Sequence, residues 1–271
     1  MNLFFRHEGQ GPPLVIVHGL YGSSDNWLTV GKKLGARFNV FMIDLRNHGH
    51  SPQSPEQSYE SMTNDLADFF SQHHIEKAIV MGHSMGGKVA MSFAADYPEH
   101  IEKLIVVDIA PKDYFLLKDE SQYYFHKNIL QAMLSLDFSR MESRKDVENY
   151  LLQHIDSKPV VQFLLKNVHR KKETHRFEWR INAQILLDNL DEIISGVNAH
   201  WFDDRLPIFN YPVLFIKGEN SKYILPEDYS TIRRIYPQAI IREIQGAGHW
   251  VHAEQPELFM EVLEQFSDQH L

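Results

Sequence analysis

The amino-acid sequence predicts an α/β protein: a mostly parallel central sheet flanked by helices, with a helical insertion between two stretches of sheet. Two observations carry this reading. Apolar, β-branched runs alternate with helical patterns at the spacing of βαβ units up to Pro111 and again after Phe209. Between those points strand-like runs stop while helical periodicity continues. The expected organisation is a core of residues 1–111 and 210–271 with residues 112–209 as a lid.

Taken in order, Leu14–Val17 is a continuous apolar run ended by His18-Gly19, which suits a strand covered on both faces. Phe38–Asp44, Ala78–Met81 and Leu104–Asp108 repeat the pattern. Helical patterns lie between them at Asn26–Leu34, Tyr59–Phe70 and Lys88–Tyr97, the last stopped by Pro98. The insertion offers helices at Tyr123–Leu136, Asp146–Ile155, Val160–Val168 and Gln184–Ile194. A strand at Pro212–Gly218, a helix at Pro226–Tyr236, a strand at Ala239–Ile244 and a helix at Pro256–Phe266 follow. Open sheets of this kind bind ligands at the carboxyl ends of their strands, where His18, Asp44, Ser84 and Asp108 fall.

The bulk properties exclude several classes. Among 271 residues, 27 are basic and 36 acidic, and a net charge of −9 argues against a surface that tracks phosphates, so no nucleic-acid partner is expected. Cysteine is absent, which removes disulfides, thiolate catalysis and cysteine-bound zinc. The opening Met1–Gly9 lacks the pattern of an export signal, and no apolar run approaches the roughly 18 residues of a membrane span. A soluble, cytoplasmic protein is the expectation.

The stretch Val80-Met-Gly-His-Ser-Met-Gly-Gly-Lys-Val-Ala90 concentrates glycine around one serine between a strand and a helix. A chain reversing that sharply strains the residue at the apex, and side chains two positions away would collide. Glycine removes the collision, and the turn lifts the Ser84 hydroxyl clear of the sheet. The same pattern also suits a turn whose serine caps a helix. A serine hydroxyl needs a base and a carboxylate to orient that base. Of 16 histidines, His249 stands out, because Gly246-Ala-Gly-His-Trp surrounds it with small residues after the last strand. His252 reads as structural. His48 with His50, and His73 with His74, read as turn and surface residues rather than metal ligands, for no acidic partner sits at ligand spacing.

Together these motifs resemble the α/β-hydrolase family, in which nucleophile, acid and base follow in that chain order. Many relatives carry the acid three residues after the glycine that ends the next-to-last strand, and here that position is Ser221. Asp108, at the end of the strand beside the serine strand, is the expected acid, with Glu219 as the alternative. The segments 17–26, 44–51, 82–88, 107–111 and 246–254 further resemble small bacterial carboxylesterases whose acid follows the family's sixth strand. That likeness implies an esterase with Ser84, Asp108 and His249 as the triad and main-chain donors at Leu20 and Met85 as the oxyanion hole. It implies a small acyl ester, or thioester, as partner and no cofactor or metal. Tyr21, Trp27 and Trp179 are the expected substrate contacts, with a core role for Trp27 left open. His83 is expected to pack, and Asp44–Ser51 to be a structural turn with Asn47 or His48 at the pocket rim as the minority reading. A cofactor-free haloperoxidase, a carbon–carbon bond hydrolase and a non-catalytic receptor remain alternatives on the same scaffold.

Overall fold

The computed structural model describes residues 1–115 and 121–268. Among them, the apolar runs become the strands β2 (Pro13–Val17), β3 (Asn39–Ile43), β4 (Ala78–His83), β5 (Ile101–Val107), β8 (Val213–Gly218) and β9 (Ile240–Ile244), all mutually parallel where paired. A further strand, β1 (Phe5–Glu8), joins antiparallel to β3 at one edge, giving the order β1-β3-β2-β4-β5-β8-β9. Its sequence Phe-Arg-His-Glu is half-exposed at the edge and has no apolar run to announce it.

Alternate strand residues feed two cores. Val15, Val17, Val80, Val106 and Phe215 pack under α2 (Tyr59–Gln72) and α3 (Met85–Asp96), meeting Met62, Leu66, Val89 and Phe93. Leu14, Ile16, Met81, Val107 and Ile216 face α1 (Leu28–Leu34) and α11 (Pro256–Asp268) through Val30, Leu34, Phe259 and Leu263. Both faces of the middle strands are therefore dry, which is why their sequences are apolar without alternation.

The chain between β5 and β8 forms the helices α4 (Ser121–Ser135), α5 (Arg144–Leu152), α6 (Lys158–Leu165), α7 (Ala183–Asp188) and α8 (Leu190–Ser195). It also forms an antiparallel pair, β6 (Val168–Arg170) with β7 (Phe177–Trp179), where the sequence suggested helices alone. Three-residue strands are too short to show period-two alternation. The expected helix Gln184–Ile194 is two helices, α7 and α8, broken at Asn189. Residues Ile129, Met133, Leu151, Leu164 and Leu186 join the α2/α3 core without a gap. The last elements are α9 (Asp228–Ile235) and α10 (Val251–Glu254). No helix among the described residues is long and apolar enough to cross a membrane.

Candidate active site

Ser84 lies between β4 and α3 with φ 53° and ψ −122°, a backbone conformation that side-chain-bearing residues avoid. The surroundings hold it there. Its N–H donates to the Val107 carbonyl at 3.0 Å, and its carbonyl accepts from Gly87 and Lys88 at 2.8 and 3.1 Å, starting the helix. A Cβ on Gly82 would strike the Gly86 backbone, and one on Gly86 would strike the Val17 and His18 carbonyls. The glycines flanking the serine are thus required by close backbone approach.

Asp108 follows β5 and is fully buried, at φ 51°. His249 Nδ1 lies 2.8 Å from Asp108 Oδ2. An ionised carboxylate only accepts, so Nδ1 carries the proton and Nε2 keeps a lone pair. The Gly218 N–H donates to Asp108 Oδ1 at 3.0 Å, and the Ser221 hydroxyl donates to Oδ2. Ser221, at the position where many relatives carry the acid, therefore supports the carboxylate that stands elsewhere. Glu219 is exposed and accepts from Gly246 N–H at 2.8 Å, away from the imidazole. The Tyr223 ring stacks on His249 at 3.9 Å, and His83 Nε2 donates to the His249 carbonyl at 2.8 Å. Asp108 and Tyr223 fix the imidazole, and His83 fixes the main chain behind it.

Ser84 and His249 share a cavity of about 390 Å³, bounded by Leu20 and Tyr21 from the core and by Phe125, His126, Val160 and Phe163 from the insertion. Trp250 and Tyr223 complete it. Met85 opens α3, so its N–H has no intrahelical acceptor. Leu20 sits in the turn Gly19–Gly22, closed by a Gly22 N–H to Gly19 carbonyl bond of 2.9 Å. A Cβ on Gly19 would approach Ser84 Cβ to 3.1 Å, so this turn runs directly past the serine.

Two expected substrate contacts are corrected. Trp27 is buried in the core on the far side of the sheet, stacked on His252 at 4.0 Å and against Phe259, and does not reach the cavity. Trp179 lies on β7, packs on Phe138 and donates its indole N–H to the Met133 carbonyl at 3.0 Å. Its polar handle is already engaged inside the insertion. Tyr21 does line the cavity. His83 is buried as expected, yet it also forms part of the cavity wall. His126, Tyr223 and Trp250 were not foreseen as lining residues; Trp250, beside His249, was the one with a positional signal. His48 is buried rather than superficial, its Nδ1 2.9 Å from the Arg46 carbonyl. Asp44 is structural: its carboxylate accepts from Ser24 and His50 N–H at 2.6 and 2.8 Å.

A smaller cavity beside Ser84 ends at Lys88, four residues along α3. Its ammonium donates to the carbonyls of Lys112 and Ile194 at 3.1 and 3.2 Å and to that of Gly196, with the Tyr59 and Tyr114 rings alongside. Burial pushes its pKa down to about 7. The carbonyls belong to the two ends of the insertion, so Lys88 ties both to the helix that starts at Ser84.

A family model described as the alpha/beta hydrolase fold matches residues 12–256. The chain is 34% identical to esterase YbfF of Escherichia coli K12, over 96% of its own length and 95% of that protein's. It is 38% identical to the sn-1-specific diacylglycerol lipase ABHD11 of Danio rerio, covering 93% of this chain and 77% of that one. Among solved structures, one described as a marine microorganism esterase superposes with a TM-score of 0.89 at 42% identity, over 97% of this chain and 98% of the other.

Proposed function

From the premise that the chain belongs to the α/β-hydrolase fold family and is an esterase-type hydrolase within it, we propose that it is a serine carboxylesterase that cleaves small acyl esters through an acyl-enzyme at Ser84. The observation that carries this reading is the 2.8 Å contact of His249 Nδ1 with buried Asp108, on an imidazole that shares one cavity with strained Ser84.

The residues then act as follows. Ser84 Oγ attacks the ester carbonyl carbon while its proton passes to His249 Nε2. The carbonyl electron pair moves onto oxygen, where the Leu20 and Met85 N–H groups donate to it. Asp108 holds the tautomer and stabilises the imidazolium. Collapse expels the alcohol, which takes the proton from His249. Water attacks the acyl-enzyme, giving its proton to His249, and the second collapse releases the carboxylic acid and returns the proton to Ser84. A thioester follows the same course with a thiol as leaving group. Apolar side chains dominate the cavity wall, and its volume of about 390 Å³ suits a short or medium acyl chain better than two long ones.

The test is hydrolysis of p-nitrophenyl esters of increasing acyl length by the parent and Ser84→Ala, with mass spectrometry after fluorophosphonate labelling. We expect a preference for short to medium chains, and the loss of turnover and label together in Ser84→Ala. A parent neither labelled nor active would overturn the reading.

A further inference from the structure

The turn that carries Leu20 is held from the insertion. Tyr21, the next residue, has φ 62°, a left-handed conformation that a non-glycine residue avoids. Something must hold it. Asn167, buried in the insertion just before β6, donates its side-chain N–H to the Tyr21 carbonyl at 2.8 Å. Asn167 is itself locked at both ends: its N–H donates to the Leu164 carbonyl at 2.9 Å, and its carbonyl accepts from Arg180 at 2.8 Å. On the other side of Tyr21, its hydroxyl lies 3.2 Å from His126 Nδ1 on α4. Burial, and then the neighbouring His249, push the His126 pKa down to about 3, which leaves the imidazole neutral, and the Tyr21 hydroxyl also lies 3.4 Å from the His126 carbonyl.

We propose that Asn167 and His126 are positioning residues: by clamping Tyr21 across the seam between lid and core, they set the Leu20 N–H against the oxyanion formed at Ser84. This rests on the reading of Ser84 as nucleophile and Leu20 as donor. The lid is then part of the catalytic apparatus as well as a wall of the pocket. Asn167 serves this role because its amide donates without charge, and a cation would be expensive to bury there. With the clamp gone, Tyr21 relaxes from its strained conformation and the turn carries Leu20 with it.

The experiment compares the parent, Asn167→Leu and His126→Phe on a p-nitrophenyl ester, and measures inhibition by a trifluoromethyl ketone, whose hemiketal oxygen occupies the oxyanion position. A displaced donor lowers kcat by roughly 10- to 100-fold, less than the loss of a donor outright. We expect Asn167→Leu to do this with KM within about twofold of parental, and trifluoromethyl-ketone affinity to fall in parallel with kcat/KM. Introducing Tyr21→Gly, which adopts the conformation freely, shrinks the effect of Asn167→Leu. A merely structural asparagine would not give that coupling. Parental kcat in Asn167→Leu, or a change in KM alone with unchanged ketone affinity, overturns the clamp. If Asn167→Leu does not melt cooperatively, His126→Phe decides by the same parallel: a joint fall supports the clamp, and parental kcat overturns it. Activity that survives Ser84→Ala would instead remove the reading beneath the proposal.

Discussion

At the residue scale, the site turns on which carboxylate faces His249. Asp108 is fully buried and receives His249, Ser221 and the Gly218 N–H, whereas exposed Glu219 receives only Gly246 among the described residues. Asp108→Asn keeps the shape but can offer its amide N–H to His249, favouring the tautomer with the proton on Nε2. We expect kcat to fall by about 10³- to 10⁴-fold, with KM little changed, while Glu219→Gln stays within about threefold of parental. Steady-state kinetics on one ester checks both, and a parental rate in Asp108→Asn would remove this carboxylate from the mechanism. The three residues proposed as the triad could be picked out because Ser84 and Asp108 follow strand ends and each has neighbours of distinctive type: glycine around Ser84, glycine before His249, an apolar run before Asp108. Trp27 and Trp179 were not, because an indole signals size without direction. Trp27 turned to the opposite core, and Trp179 satisfied its N–H inside the insertion. Asn167 gave no signal, since its partner lies 146 residues away.

At the element scale, the inner strands that were legible are buried on both faces, and β9 was read at the edge from its isoleucines although its Arg242 and Glu243 are exposed; those missed are polar and at an edge, as β1, or three residues long, as β6 and β7. The boundary of α3 was read late, at Lys88 rather than Met85, because glycines at its start hide helical periodicity. Lys88, one of the links between insertion and core, was invisible in sequence, for its partners are backbone carbonyls. Removing Lys88 has opposed effects. Orphaned carbonyls cost about 1–3 kcal/mol each, and relief from burying an amine that ionises near neutral pH returns several kcal/mol. These nearly cancel for the whole molecule, but the tether itself is lost. Lys88→Met is therefore expected to shift Tm by less than about 4 °C, while the insertion becomes several-fold more sensitive to limited proteolysis. A Tm drop above about 10 °C with unchanged proteolysis would show that Lys88 supports the core instead.

At the scale of the whole molecule, neutral histidines buried around the sheet edge make the fold sensitive to acid. His18 is held in one tautomer: its Nε2 accepts from Leu45 N–H at 3.0 Å and its Nδ1 donates to the Gly19 carbonyl at 2.8 Å. Protonation would break the first bond. Burial lowers its pKa to about 4, and lowers those of His48 and His252 to about 3, from the ordinary 6.5. Folded-state pKa values below the unfolded value mean that the unfolded chain takes up protons first. The stability these groups contribute is complete above pH 6.5 and is lost as pH falls toward 3 to 4, at up to about 1.4 kcal/mol per pH unit for each. Against a net stability of about 5–15 kcal/mol, three such groups can unfold the protein well above the pKa of a free carboxylate. Urea unfolding at a series of pH values should show stability falling steeply below pH 6.5. Carboxylates held in ion pairs are a second source of acid sensitivity, acting only further down. His252→Phe separates the two sources: it keeps the stack on Trp27, and His252 Nδ1 has no hydrogen-bond partner among the described residues to lose. The variant should lose about one proton's worth of slope, about 1.4 kcal/mol per pH unit between about pH 6 and 4.5. An unchanged slope would show that His252 does not contribute to the acid sensitivity.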